Sequence, residues 1–322
     1  KAFFLLFSFF LFSSVFAQTT VSGGIYQNTT WTAANSPYLM TGSMVVFPGV
    51  TLTIEPGVIV KVTPDYSFNT GNFRYLEIRG TLVAIGTDAN PITFTTNEAS
   101  AAQGQTWMGI SIKGSQGGNV QMDRFRLERS WWGISNDIAQ PGVSYNWTNC
   151  QFKNNNYSVQ LNADMVYDGC LFQENGVGQA AQILYGSLTA NNCQFIDNFC
   201  SFTWSNFISV SNSLFQGNGN NIVGSPGMVT NCKFIDNDFA FAEAFGHTIQ
   251  NCLFQGNGVA MDNTGNCNIS NCVFENNDVA VRLGDNGILT NNIINDNTVG
   301  VAVLAYSPNS TLIENNTICY NT

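Results

Sequence analysis

The chain has 322 residues, of which 44% are hydrophobic and only 10% are charged, and its formal net charge is −10 at pH 7. An acidic chain without a basic stripe argues against nucleic acid and against anionic membrane surfaces as partners. The same charge argues against a polyanionic substrate, unless calcium bridges the acidic protein and the acidic polymer.

Residues 1–17 form an apolar stretch that starts with Lys1 and ends in Val15-Phe16-Ala17. This arrangement is typical of a secretory signal peptide, with cleavage before Gln18. A transmembrane anchor is the alternative, but the apolar run is short for a membrane span and serines interrupt it. We therefore expect a secreted or cell-surface protein with no membrane insertion after cleavage.

The segment 18–120 is rich in short alternating patterns. Residues 50–54 and 58–62 each alternate between apolar and other side chains, and Glu55-Pro56-Gly57 separates them. Such runs, separated by Pro and Gly, predict short β-strands joined by turns. No linker rich in Pro, Ser or charge divides this segment from the rest of the chain.

The segment 121–322 is predicted to be a solenoid, because one phrase recurs in it nine times. The phrase is Asn, then Cys, Ser or Asn, any residue, Phe or Ile, two polar residues and Asn. Successive copies are 19 to 24 residues apart. The residues at the Cys position are Cys150, Cys170, Cys193, Ser213, Cys232, Cys252, Cys272, Asn292 and Asn316.

The apolar positions of the phrase predict three short strands in each coil of about 20 residues. Counted from the Cys position, residues −3 and +2 are apolar or aromatic, and the Asn at −1 marks a bend between two strands. Alternation at +7 and +9, as in Val279 and Val281, predicts a further strand with both residues pointing inward. Equivalent residues should stack inside as columns of Phe, Val and Cys.

An Asn stands at +5 in every copy. We expect it to occupy a bend in the left-handed conformation and to hydrogen-bond from coil to coil as a ladder. The expected ladder residues are Asn155, Asn175, Asn198, Asn218, Asn237, Asn257, Asn277, Asn297 and Asn321.

The pattern N-C-x-F-x-x-N followed by x-V-x-V resembles the repeats of right-handed parallel β-helix proteins of the pectin-lyase-like superfamily, as found in secreted bacterial proteins. The resemblance covers roughly residues 51–322. It implies an all-β, right-handed parallel β-helix solenoid, with 18–120 as the N-terminal cap and first irregular coils. The fold hosts lyases, hydrolases, epimerases, adhesins and spacers, so it does not specify an activity. The last coil stops at Asn321-Thr322, and we expect the C-terminal end to be truncated.

Six of the nine cysteines share the Cys position and so one column. Neighbouring coils place their Cα atoms ~4.8 Å apart, which a disulfide allows, but parallel Cβ vectors suit its dihedral angle poorly. Buried thiols that act as small hydrophobic residues are the favoured interpretation, and the disulfide state stays open. No resident cofactor is expected apart from calcium.

Two groups of charged residues are candidates for chemistry. Asp262 and Arg282 share position +10 one coil apart, and Asp285 follows in the next bend. In a polysaccharide lyase of the resembled fold, such an Arg would act as the base; the favoured alternative is an exposed ion pair worth ~0–1 kcal/mol. Asp197 and Asp236 share position +4 two coils apart, and are candidate calcium ligands or solvated bend residues.

Four aromatic residues fall outside the inward positions of the repeat and are candidates for stacking on sugar rings: Trp131, Trp132, Trp204 and Tyr306. The regularity of the coils favours an exported structural or adhesive module that binds an extracellular polysaccharide or a surface protein along its flank. The alternative is a carbohydrate-active enzyme, a polysaccharide lyase or glycoside hydrolase, that acts on an extracellular polysaccharide.

Overall fold

The computed structural model describes residues 18–64, 73–98, 106–138, 143–176, 179–183, 186–203, 205–223, 226–243, 245–304 and 311–322. Within these ranges the chain winds into an all-β solenoid in which each strand pairs in parallel with the equivalent strand of the neighbouring coils. Two short 3₁₀ helices, Ala33–Asn35 and Gly114–Gln116, interrupt the strands of the N-terminal coils. The all-β parallel β-helix predicted from the repeat is therefore confirmed.

Three strands per coil form three faces of the solenoid. The first face carries the strand that precedes the repeated Asn, and it consists of a four-stranded and a nine-stranded sheet. The strands of the four-stranded sheet are Thr29–Trp31, Thr51–Ile54, Thr81–Ile85 and Asn119–Asp123. Those of the nine-stranded sheet are Ser144–Thr148, Asp164–Asp168, Ser187–Asn191, Phe207–Ser211, Gly227–Thr230, His247–Gln250, Asn268–Ser270, Ile288–Thr290 and Leu312–Glu314.

The second face carries the strand that holds the repeated Phe. Its strands are Ile59–Val62, Ile92–Thr96, Phe125–Glu128, Gln151–Lys153, Leu171–Gln173, Gln194–Ile196, Leu214–Gln216, Lys233–Ile235, Leu253–Gln255, Val273–Glu275, Ile293–Asn295 and Thr317–Cys319. Two long N-terminal strands, Thr19–Ile25 and Tyr38–Val46, run through both the second and the third face and join them.

The third face carries the strand that follows the ladder Asn. Its remaining strands are Tyr75–Ile78, Gly109–Ile112, Ile134–Asn136, Val159–Leu161, Gln179–Ile183, Cys200–Thr203, Asn220–Val223, Phe239–Ala242, Val259–Met261, Val279–Leu283 and Val299–Val303. Together with the second face it forms a sheet of 25 strands. The outward side chains of this face line the candidate site.

Stacked phenylalanines fill the interior behind the second face. Phe234, Phe254 and Phe274 are fully buried, and the ring centroids of neighbours are 4.9 and 4.6 Å apart with nearly parallel planes. The column begins earlier, since Val60, Phe94 and Leu127 occupy the same register in the irregular coils. The predicted Phe column is confirmed.

The Asn ladder runs from Asn155 to Asn321. Asn257 is representative: its Oδ1 accepts the backbone N–H and the side-chain N–H of Asn237 at 3.1 and 2.9 Å. Its Nδ2 donates to Oδ1 of Asn277 at 2.8 Å and to the carbonyl of Phe234 at 2.9 Å. The predicted ladder is confirmed, and it satisfies a row of buried polar groups with hydrogen bonds along the solenoid axis.

The bends differ in one detail from the sequence expectation. The bend predicted at the Asn at −1 is present, and this residue adopts a left-handed conformation, with φ of 56° at Asn251. At the second bend, however, the left-handed residue is the one before the ladder Asn, such as Asp236 with φ of 53° or Gly256 with φ of 67°. Position +4 carries the backbone turn, which aims the Asn at +5 along the stack.

The strand of the third face also departs from simple alternation. The residue at +9, such as Met261 or Val281, is fully buried as expected, but Val279 at +7 is only half-buried. The small residue between them is buried instead, as at Ala260 and Ala280. The pairing passes from +7 to +9 without including +8, so a local bulge turns the middle residue out of alternation. The expectation that +7 and +9 are both buried was therefore wrong at positions such as Val279, although Val259 and Cys200 at +7 are buried.

The Cys column is a second hydrogen-bonded ladder. The backbone N–H of Cys232 donates to Sγ of Cys252 at 3.5 Å, and Cys252 donates in the same way to Cys272. Each thiol in turn donates to the carbonyl two residues before it, as Cys252 does to Gln250 at 3.2 Å. All nine cysteines, which lie within the described ranges, are free thiols. The hydrogen-bonded contact with the Cys252 thiol, together with burial, raises the pKa of Cys232, so this thiol keeps its proton.

Candidate functional site

Trp131 and Trp132 lie at the corner where one of the early coils turns from the second face to the third. Their backbone N–H groups donate to the carbonyls of Trp107 and Met108, both at 2.8 Å, which holds this corner on the preceding coil. The ring of Trp132 stacks on Tyr157 of the next coil, with centroids 4.6 Å apart and planes 21° apart. Trp131 faces Phe73 with centroids 6.3 Å apart. The structure thus places the two adjacent tryptophans in an aromatic ledge outside the core.

A cleft of about 250 Å³ opens on the outer surface of the third face beside this ledge. Three neighbouring strands supply its polar floor, because Glu77 pairs in register with Ser111 and Ser111 with Ser135. Tyr157 does not line the cleft, so it supports Trp132 from outside. The residues that line the cleft are Tyr75, Glu77, Met108, Gly109, Ile110, Ser111, Lys113, Trp132 and Ser135.

Two glycines allow neighbouring coils to approach closely beside the cleft. Gly109 and Gly133 stand side by side one coil apart, with φ of 111° and 60°. A Cβ atom on Gly109 would lie 2.1 Å from the carbonyl oxygen of Gly133, and one on Gly133 would lie 1.8 Å from that of Ser158. No other residue fits either position, because a side chain would collide with the backbone of the neighbouring coil.

The charges around the cleft occur in opposite pairs. The Glu77 side chain is 11% exposed and forms an ion pair with Arg79, whose guanidinium also lies 5.8 Å from the ring centre of Phe47. Burial disfavours ionisation of Asp137, but hydrogen bonds from the hydroxyl and N–H of Ser115 and the charge of Lys113 outweigh it and lower its pKa. The Asp137 carboxylate is therefore ionised at neutral pH, and each of the two acidic side chains has a cation nearby.

Asp262 and Arg282 come together on the same third face, as their shared repeat position requires. Their Oδ1 and guanidinium nitrogen are 3.1 Å apart, with side chains 26% and 36% exposed. Asp285 lies in the following bend, where its carbonyl accepts the backbone N–H of Asn266 at 2.8 Å. Six coils at ~4.8 Å separate Asp262 from Ser135, the nearest strand residue of the cleft, so the ion pair is roughly 30 Å from the cleft.

Asp197 and Asp236 are exposed residues at the left-handed bend position, and the structure does not bring them together. Gly217 lies between them in the stack. Oδ1 of Asp197 lies over this glycine, 2.3 Å from the position that a Cβ atom would occupy. Gly256 receives Asp236 in the same way. In the described part of the chain, no three His, Cys, Asp or Glu side chains are grouped closely enough to hold a metal ion. Trp204 and Tyr306 lie outside the described residues.

Sequence reasoning missed Tyr75, Glu77, Ser111 and Lys113. Each belongs to the irregular N-terminal coils, where the register between strands cannot be counted from a repeat. The available signal was the pair Gly109 and Gly133, each preceding an alternating strand with an outward serine.

Comparison with known proteins agrees with this architecture. Residues 23–127 match a pectate-lyase like beta helix domain, and residues 200–318 match a right handed beta helix region. The chain is a right-handed parallel β-helix protein of the pectate-lyase-like type. The resemblance inferred from the repeat is thereby confirmed, and the cleft lies at the junction of the N-terminal coils with the coils that follow.

Solved structures of the same fold are distant in sequence. The periplasmic alginate epimerase AlgG is 11% identical, over 93% of this chain and 77% of that chain, with a TM-score of 0.35. The A-module of the Azotobacter vinelandii mannuronan C-5 epimerase AlgE4 is 10% identical, over 92% of this chain and 91% of that chain, with a TM-score of 0.38. No curated protein matches the chain in sequence. Across the described ranges, no helix has the length and apolar character needed to cross a membrane.

Proposed function

We propose that this protein is an exported polysaccharide-binding module and that the cleft beside Trp132 is its binding site. The supporting observation is the combination of one aromatic wall with a polar floor. Trp132, supported by Tyr157, offers a flat apolar surface, and Glu77, Ser111, Ser135 and Lys113 offer acceptors and donors beside it.

Sugar rings have the matching chemistry. Their C–H faces pack on aromatic rings, and their hydroxyl groups both donate and accept hydrogen bonds. A concave site with aromatic side chains and a few well-placed polar groups is the usual form of a small-molecule site. The cleft volume suits one or two sugar units, and its open ends suit units of a longer chain.

The rest of the solenoid fits a structural role in the same proposal. The ladders give a stiff rod, and each coil adds stability mainly through its neighbours. A rod that carries a binding cleft near one end would hold a polysaccharide at a fixed distance from whatever its other coils contact. The proposal includes secretion or display at the cell surface. It also includes contact between the rod and a surface protein.

Affinity electrophoresis through gels that contain individual polysaccharides tests the proposal. We expect at least one polymer to retard the wild-type protein and Trp132→Ala to abolish the retardation. Phe207→Ala is the matched control, because Phe207 is an aromatic residue 45% exposed on the first face, away from the cleft. Equal loss in both variants, or no retardation by any polymer, would overturn the assignment.

A carbohydrate-active enzyme is the second candidate, and one observation favours it. Glu77 and Lys113 line the same cleft, so a carboxylate and an amine stand where a bound sugar would lie. Incubation with the same polymers, followed by assays for reducing ends and for unsaturated products, separates the candidates. Turnover that Glu77→Gln abolishes would establish the enzyme, whereas binding without products supports the module.

A further inference from the structure

We infer that the cleft selects uncharged sugar units and excludes uronate units, with Glu77 as the residue that determines this specificity. This inference rests on the proposed polysaccharide binding and adds the chemical class of the ligand. It follows from the charges around the cleft and from the burial of Glu77.

The charges nearest the cleft sum to zero. Glu77 is neutralised by Arg79, which does not line the cleft, and Lys113 acts on the Asp137 carboxylate. A uronate unit would bring an additional negative charge next to Glu77, and Lys113, the one cation among the residues that line the cleft, already acts on the Asp137 carboxylate. Like charges placed together in a partly buried site weaken binding, so a carboxylated sugar is disfavoured.

The groups that face the cleft suit hydroxyl groups. The Glu77 carboxylate is a strong acceptor with two oxygens, and only one hydrogen bond to Arg79 occupies it within the described contacts. The hydroxyls of Ser111 and Ser135, which follow Glu77 in register on the next two coils, both accept and donate. Adjacent hydroxyls of a neutral sugar can donate to such a row, whereas a uronate carboxylate can only accept.

Long-range electrostatics acts in the same direction. The chain carries a formal net charge of −10, and acidic residues recur along the ladder bend at Glu174, Asp197, Asp236 and Asp296. A polyanion approaching the solenoid is therefore repelled before it reaches the cleft.

Pairs of polymers that differ only in their carboxyl groups separate the effect of ligand charge on binding from the effect of the sugar backbone. The pairs are polygalacturonate with its fully methyl-esterified form, and alginate with its carboxyl-reduced form, added to a set of neutral galactans, xylans and glucans. We expect retention by neutral or neutralised polymers and about tenfold weaker retention by the charged member of each pair. Retention should change little between low and high salt, because no ion pair forms with the ligand.

Glu77→Gln tests the role of the residue, because it keeps the side-chain shape and an acceptor oxygen while removing the charge. It should weaken binding of the neutral polymer. The ratio of retention between the neutral and the charged member of each pair should fall toward one. Equal or stronger binding of the charged polymers by wild type, with or without added calcium, would overturn the specificity while leaving the proposed function standing. Absence of binding to every polymer would overturn the proposed function, and the specificity with it. Thermal melts of Glu77→Gln verify that the variant is folded.

Discussion

Oδ1 of Asn292 accepts the backbone N–H of Cys272 at 2.8 Å, in the place where the preceding coils offer a sulfur atom. Ser213 fills the same place earlier in the solenoid and accepts the N–H of Cys193 at 3.0 Å. The Cys position of the repeat is therefore a position for a side-chain acceptor, which Cys, Ser and Asn all provide. This explains why the three residues interchange there.

The first prediction separates this role from simple packing. Cys252→Ala removes the acceptor for Cys232 and should lower the free energy of unfolding by about 1–3 kcal/mol. Cys252→Ser retains both the acceptor and the donor and should cost less than Cys252→Ala. Chemical denaturation under reducing conditions measures both. If the serine variant lost as much stability as the alanine variant, the thiols would act only as buried apolar groups.

The second prediction concerns the Asn ladder. Asn257→Ala leaves the N–H groups of Asn237 and the Oδ1 of Asn277 with fewer partners in a buried stack, which should cost ~1–3 kcal/mol per unsatisfied group. Asn257→Asp should also destabilise, because a carboxylate cannot donate to Asn277 and adds a charge to a dry site. Gln255, which is half-buried on the outer surface, is the control, and its change to Ala should alter stability by less than ~0.5 kcal/mol. Equal thermal shifts at 255 and 257 would contradict the ladder's energetic role.

The third prediction concerns the Phe column. Phe254→Ala removes a ring that stacks on both Phe234 and Phe274, so unfolding should become easier by ~3–5 kcal/mol. Phe207→Ala, at an exposed position, should change stability by less than ~0.5 kcal/mol. Hydrogen exchange should show the loss of protection concentrated in the coils next to residue 254. Uniform loss over all coils would argue against nearest-neighbour stability.

The fourth prediction is a pH dependence caused by His247. This residue is 1% exposed inside the coil, edge-on to Phe241 with ring centres 5.4 Å apart. Burial lowers its pKa to about 4, and the backbone of Gly227 opposes the shift only in part. The unfolded chain, with an ordinary value of about 6.5, binds more protons between these limits, so stability falls as the pH drops from about 6.5 to about 4.

Between pH 6.5 and pH 4, the free energy of unfolding should fall by about 3 kcal/mol because of His247. His247→Leu should remove it, because leucine has no proton to bind. Urea denaturation of both proteins at pH 7 and pH 4 makes the comparison, since other groups contribute equally to each. If wild type and His247→Leu lost the same stability between the two pH values, His247 would not be the cause.

The fifth prediction concerns the ion pair on the distant part of the third face. Arg282→Ala should lower stability by less than ~1 kcal/mol, because the pair with Asp262 is partly exposed. It should leave polysaccharide retention unchanged, since at least six coils separate the ion pair from the cleft. If Arg282→Ala or Asp262→Ala lost retention or turnover while the melting temperature stayed unchanged, the binding site would lie at this end of the face instead.

The repeat predicted the columns of Phe, Cys and Asn because each is a consequence of spacing alone. It misplaced the left-handed turn by one residue, because Asn, Asp, Glu and Gly all occupy +4 and only their backbone geometry distinguishes that position from the Asn at +5. The spacing of the repeat could not predict the cleft. Trp132 was recognisable as an aromatic residue outside the core, but its neighbour Glu77 lies 55 positions earlier, in coils whose lengths follow no common period.

The alternation of Asp197, Gly217, Asp236 and Gly256 has a consequence for how such a chain can grow. Each carboxylate occupies the space left by the glycine of the next coil, so a coil with Asp and a coil with Gly form one structural unit. Removal of the coil that contains Gly217 would stack Asp197 directly on Asp236, with two like charges about 5 Å apart. A duplication of two coils preserves the alternation, whereas a duplication of the single Asp coil does not. In this stretch, the packing unit at the bend is therefore the pair of coils, although the sequence repeats with every one.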